Sequence, residues 1–204
     1  MSGARAIRLR AYVGATEAAA VQDAARRLGE GLASAGAPAP EVSLDFVDSA
    51  GALLDETGDA IMISSLGPEI EAALRDWPTA ETRLERDYQA LARRRPEALF
   101  LCTVFRHVRP GPDEDARVAL RLAIRRLDFL AVRLSHATGL NVIDLDRALA
   151  NAGALSLDTD YRLGGAAAAK AAGREIAGAI LAAALDAWIS PEVQERAAAA
   201  LGAP

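Results

Sequence analysis

The chain has 204 residues, 51% of them hydrophobic and 25% charged, which excludes a disordered segment and leaves ample material for a folded core. Its net charge of −5 offers no overall basic surface for neutralising phosphates, so nucleic-acid binding is not expected. Aromatic residues are only 4%, so packing is expected to rest on the close approach of small side chains rather than on rings.

The single cysteine, Cys102, sits within an apolar run and reads as a buried thiol. No intrachain disulfide is possible, which fits a reducing compartment. The first apolar run is interrupted by Arg8 and Arg10, unlike the core of a signal peptide, and no window approaches the ~20 apolar residues of a membrane span. A cytoplasmic protein without a membrane span is therefore expected.

Five short apolar runs recur: Ile7–Val13, Val42–Val47, Ala60–Ser64, Ala98–Phe105 and Leu140–Leu145. Four precede helix-patterned stretches. That alternation predicts an α/β fold, a three-layer doubly wound parallel sheet of about five strands, because parallel strands need crossovers and are buried on both faces. The expected strand order is 2-1-3-4-5, as in flavodoxin-like folds.

The first strand ends at Gly14, and Thr16 reads as the N-cap of a helix reaching Ala35, stopped by Gly36 and the Pro38–Pro40 stretch. The second strand runs into the turn Asp48-Ser49-Ala50-Gly51. The third leads to Gly67-Pro68-Glu69, where proline suits a first helical turn. Pro78 is expected to break that helix, and Thr82-x-x-Glu85 to restart it as a capping box. Beyond the fourth strand, Arg106, His107 and Arg109 open a loop before a long helix, about Glu114 to Ala137. The fifth strand, Asn141–Leu145, is followed by a loop through Asp158, Asp160 and Tyr161 and an alanine-rich helix, roughly Gly165–Leu185. Residues 1–185 are expected to form the α/β domain, and 186–204 a C-terminal helical tail that docks on it or on a second copy, making a homo-oligomer.

Parallel sheets place chemistry at the carboxyl ends of their strands. The first turn lacks G-x-G-x-x-G and the P-loop pattern, and the first and third strands lack the terminal aspartates of a response-regulator receiver. No cofactor and no metal are expected, since no cysteine–histidine cluster or calcium-loop spacing is present.

Four loops taken in order resemble those of the SGNH/GDSL hydrolase superfamily, over about residues 6–185. The family carries a Gly-Asp-Ser turn, then a glycine, then Gly-x-Asn-Asp, then Asp-x-x-His before the last helix. Here these positions read Gly14-Ala15-Thr16, Gly51, Gly67-Pro68-Glu69 and Asp158-Thr159-Asp160-Tyr161. The resemblance implies a nucleophile position at Thr16, oxyanion positions at Gly51 and in the Gly67–Glu69 turn, and an acid and base pair at Asp158 and Tyr161. Tyrosine, with a pKa of about 10, is a poor base at neutral pH. Glu69 puts a carboxylate where the family has an amide donor, whose loss alone costs roughly 3 kcal/mol of transition-state stabilisation. The expectation is a degenerate, non-catalytic member serving in binding or assembly. Because many relatives act on carbohydrate esters, the resemblance also implies a role near polysaccharide modification.

Two other readings stay open. One is an active esterase or acyltransferase using Thr16 or Ser49 with His107. The other is a binder of a small anionic or phosphate-sugar ligand, if Arg106, His107, Arg109 and Arg162 converge at the strand ends.

Overall fold

The computed structural model describes residues 6–36, 40–54, 59–153 and 156–202. Its five strands, β1 (Ile7–Tyr12), β2 (Val42–Phe46), β3 (Ile61–Ser65), β4 (Leu99–Cys102) and β5 (Asn141–Ile143), form one parallel sheet in the order β2-β1-β3-β4-β5. The expected α/β architecture and strand order are therefore those of the protein.

The sheet divides the core by the two-residue period of its strands. Ile7, Leu9 and Ala11 of β1, Ile61 and Ile63 of β3, and Phe100 and Cys102 of β4 face one layer. That layer is built by α1 (Ala18–Ser34), α6 (Ala166–Ala183) and α7 (Pro191–Ala200). Met62, Leu99 and Leu101 face the other, where α2 (Ile70–Arg75), α3 (Trp77–Ala92) and α4 (Glu114–Thr138) pack. Cys102 is a buried free thiol, and burial holds its pKa well above the usual range.

Small residues bring α1 and α6 together. Ala20 and Ala24 meet the face carrying Ala169, Ala172, Gly173 and Ala177. A Cβ on Gly173 would lie 2.6 Å from Asp23 Oδ2 and 2.8 Å from the Ala20 carbonyl oxygen. Backbone cannot yield as a side-chain tip can, so Gly173→Ala is expected to lower stability by about 1–2 kcal/mol in a urea titration. An unchanged midpoint would show that the two helices part freely.

Several local expectations are corrected. Helix α1 begins at Ala18 after Glu17, and Thr16 makes no cap, because its hydroxyl is used elsewhere. The predicted Thr82 capping box is not a helix start. Asp76 caps α3 by accepting from the Thr79 N–H, Pro78 sits in its first turn, and the Thr82 hydroxyl donates back to the Pro78 carbonyl. The fourth strand stops at Cys102 although burial continues through Phe105, since this segment leaves the ladder for side-chain acceptors. The N–H groups of Val104 and Arg106 donate to Asp128 and Asp146. The fifth strand is likewise short, ending at Ile143. Asp144 then caps a helix the periodicity does not reveal, α5 (Leu145–Asn151).

Gly36 adopts a left-handed φ of 76°, as a helix stop requires, whereas Pro38 lies outside the described residues. The tail helix α7 packs on α1 and α6 of its own chain. Ala197 is fully buried, and Arg196 Nε donates to the Ala35 carbonyl at 3.1 Å. No described helix is long and apolar enough to cross a membrane.

Candidate functional site

The carboxyl ends of β1, β3 and β4 and the loop entering α6 meet at one end of the sheet. The turn after β1 closes on itself. Glu17 is 5% exposed, and its carboxylate accepts the Gly14 N–H at 2.7 Å and the Ser65 hydroxyl at 2.7 Å. Ser65, at the end of β3, accepts in turn from the Gly67 N–H at 2.9 Å. No cation pairs with Glu17 among the described residues, and burial pushes its carboxyl pKa up against the lowering effect of the Ser65 and Gly14 hydrogen bonds. A Cβ on Gly67 would fall 2.6 Å from Glu17 Oε1, so the carboxylate occupies the space that a side chain there would need.

A second carboxylate lies beside the first. Glu69, 5% exposed, accepts the Tyr12 hydroxyl at 2.9 Å and is ion-paired with Arg83. Burial, reinforced by the Glu69 charge, raises the Tyr12 phenol far above its ordinary value. Beneath them Tyr88 and Ser64 share a buried hydrogen bond of 2.6 Å. Within this cluster the Gly14 and Gly67 N–H groups, the Ser65 and Tyr12 hydroxyls and the Arg83 Nη2 all donate to acceptors of the protein itself.

Outside it, Thr16, Arg109, Asp158, Thr159, Asp160, Arg162, Gly164 and Gly165 line a depression of about 440 Å³. The Thr16 hydroxyl donates to the Arg162 carbonyl at 2.5 Å. Arg162 holds Asp160 through its Nε and Nη2, and Arg109 reaches Asp158 and Asp160 at 3.1 and 3.8 Å. Hydrogen bonding and charge from Arg162, with further charge from Arg109, keep the Asp160 carboxyl below its usual range. Two guanidinium groups and two carboxylates thus nearly cancel. Asp158 and Leu163 take φ values of 45° and 56°, a conformation costing roughly 1 kcal/mol or more for each non-glycine residue. The loop is held there by the buried Leu163 side chain and by the Arg109 Nη2 bond to the Asp158 carbonyl at 2.5 Å.

The structure therefore brings together Thr16, Arg109, Asp158 and Arg162 from the predicted set. It leaves the others apart. Tyr161 donates its N–H to the His107 carbonyl at 2.8 Å, and its ring lies under the Arg162 guanidinium at 5.2 Å. The exposed His107 ring neighbours Phe105 at 6.0 Å and makes no hydrogen bond with Thr16. Arg106 turns away to pair with Asp146. Gly51 is exposed in a single 3-10 turn, with open space around it. No described group of histidine, cysteine and acidic side chains is arranged to hold a metal.

Sequence reasoning passes over Glu17 and Ser65, and it names Asp160 only as a member of the Asp158–Tyr161 loop. Glu17 looks like an ordinary acidic residue in a first helical turn, and Ser65 like the end of a strand. The only available signal is an acid immediately after the Gly14–Thr16 turn.

No protein-family model and no curated protein sequence match this chain. Among solved structures, the crystal structure of phospholipase A1 from Streptomyces albidoflavus is similar at 14% identity and a TM-score of 0.50, covering 89% of this chain and 100% of that one. At that identity the likeness is one of fold, and it agrees with the five-stranded parallel α/β architecture seen here.

Proposed function

We propose that this chain is a non-catalytic protein on an SGNH-like scaffold that binds a hydroxyl-rich ligand of carbohydrate type in the depression beside Thr16. The observation that carries this reading is the Thr16 hydroxyl itself, whose proton is given to the Arg162 carbonyl and not to a base. An acyl-transfer nucleophile needs an acceptor for that proton and donors for the developing oxyanion. Here the Gly14 N–H is taken by Glu17, the Gly67 N–H by Ser65, and the amide position is filled by the Glu69 carboxylate. Two buried carboxylates next to the turn oppose an oxyanion.

Alternating guanidinium and carboxylate groups around an open, nearly neutral hollow suit hydroxyl groups, which both donate and accept. A rigid, strained loop supports a binding role, because strain of this kind is retained where a site must be preorganised. The protein would then act as a glycan-binding component near polysaccharide modification.

Turnover of p-nitrophenyl acetate is expected to stay at the uncatalysed background, with wild type and Thr16→Ala indistinguishable. Activity that disappears in Thr16→Ala would end the non-catalytic reading. Binding of neutral oligosaccharides, insensitive to salt and lost in Arg162→Ala, is the expected result for the ligand. Salt-sensitive binding of phosphorylated sugars alone would replace carbohydrate recognition by anion recognition.

A further inference from the structure

Six large apolar side chains are well exposed among the described residues, and four of them stand on α4: Val118, Leu122, Phe129 and Val132. Phe129 is 65% exposed. With about 100° of rotation per residue, the four fall within an arc of about 80°, and Arg125 lies in the same arc. Arg121 borders it on one side, Arg126 and Arg133 on the other. From Arg117 to His136 the helix carries five arginines and one aspartate, a net positive segment in a chain of net charge −5.

Some of these arginines are used internally. Arg126 stacks on Trp77 at 5.7 Å, and Arg133 pairs with Glu81 and Glu85. Arg121 and Arg125 form no ion pair or hydrogen bond with any described residue. The nearby carboxylates are already engaged: Asp146 by Arg106, Asp128 by the Val104 N–H and Asp144 by the Arg147 N–H.

We infer that this face of α4 docks on an anionic lipid surface, with Leu122, Phe129, Val118 and Val132 entering the interface and Arg121 and Arg125 meeting lipid phosphates. An apolar stripe bordered by arginines is the pattern of a helix lying in a membrane interface. A second copy fits poorly, because two-fold pairing sets one basic face against another. A protein partner also fits poorly. From Val118 to Val132 the stripe is about 21 Å long and one side chain wide, on the order of 250 Å², against about 800 Å² per partner in a standard protein interface. Lipid needs no complementary shape; a few inserted side chains and charge attraction suffice.

Co-sedimentation of the full chain with vesicles tests this. The chain is expected to pellet with phosphatidylcholine vesicles containing about one third phosphatidylglycerol, to stay in solution with phosphatidylcholine alone, and to be released by salt. Leu122→Ser combined with Phe129→Ser is expected to cut the bound fraction about tenfold, with an unchanged thermal melt because both side chains are exposed. Arg121→Glu with Arg125→Glu should remove the preference for anionic vesicles. The inference is overturned by no pelleting on anionic vesicles, by equal pelleting on neutral ones, or by binding that neither double variant alters. A wild-type dimer that the Leu122→Ser, Phe129→Ser variant dissociates would give the face to a second copy and overturn it equally.

Discussion

Replacing Glu17 with alanine is expected to destabilise the protein by about 2–4 kcal/mol, the largest effect of any single substitution near the site. The carboxylate accepts from both the Gly14 N–H and the Ser65 hydroxyl, so its removal strands two donors under the turn after β1. Glu17→Gln keeps an acceptor and the shape, and it should separate hydrogen bonding from charge. Burial raises the folded-state pKa of Glu17, so the folded chain holds this proton more tightly than the unfolded one. Stability from this group is fullest below the ordinary glutamate range and falls as pH rises toward the raised value. Glu17→Gln lacks that decline. Guanidinium titrations at acidic and mildly alkaline pH should therefore show the glutamine variant gaining on wild type as pH rises. If it loses as much as Glu17→Ala at every pH, the burial argument is wrong.

Asp128→Asn should flatten a second pH dependence. Burial lifts the Asp128 carboxyl to about 7, aided by the charges of Asp146 and Asp144 and opposed by the Val104 N–H and Arg106. The carboxyl sits under the loop after β4, accepting the Val104 N–H at 2.8 Å. Because its folded pKa is raised, wild type is most favoured below the ordinary aspartate value near 3.8 and loses stability as pH climbs toward about 7. The side chain is partly exposed, which halves the unscreened figure, so the loss is on the order of 2 kcal/mol. Asparagine still accepts the Val104 N–H but has no proton to lose. Stability curves for the two proteins measured between pH 4 and pH 8 should diverge by that amount, and parallel curves would remove Asp128 as the cause.

The sheet was legible because the driving pattern is local. Runs such as Ile7–Val13 and Ala60–Ser64 announce strands buried on both faces, and the helical stretches between them force parallel crossovers, while the order β2-β1-β3-β4-β5 is the one expected from the likeness to flavodoxin-like folds. Boundaries were less legible, because burial outlasts hydrogen-bonded pairing. Val104 and Phe105 are as buried as strand residues, but the Asp128 and Asp146 carboxylates take over the backbone donors of their segment. Helix α5 stayed hidden for a related reason: it is too short to establish a period and rests on the Asp144 cap.

Composition and periodicity by themselves determined the fold class, the buried Cys102 and the reliance on small-residue packing, whereas the candidate residues in the loop entering α6 are those that the family resemblance implies. Only the tertiary structure decided what those candidates touch. Thr16 and Arg162 are 146 positions apart, and Glu17 and Ser65 are 48 apart. Residue type states what a side chain can donate or accept, whereas the folded backbone selects its partner. That selection turned a nucleophile-like hydroxyl toward a carbonyl, paired Glu69 with Arg83, and sent Arg106 to Asp146 while Arg109 and Arg162 stayed together.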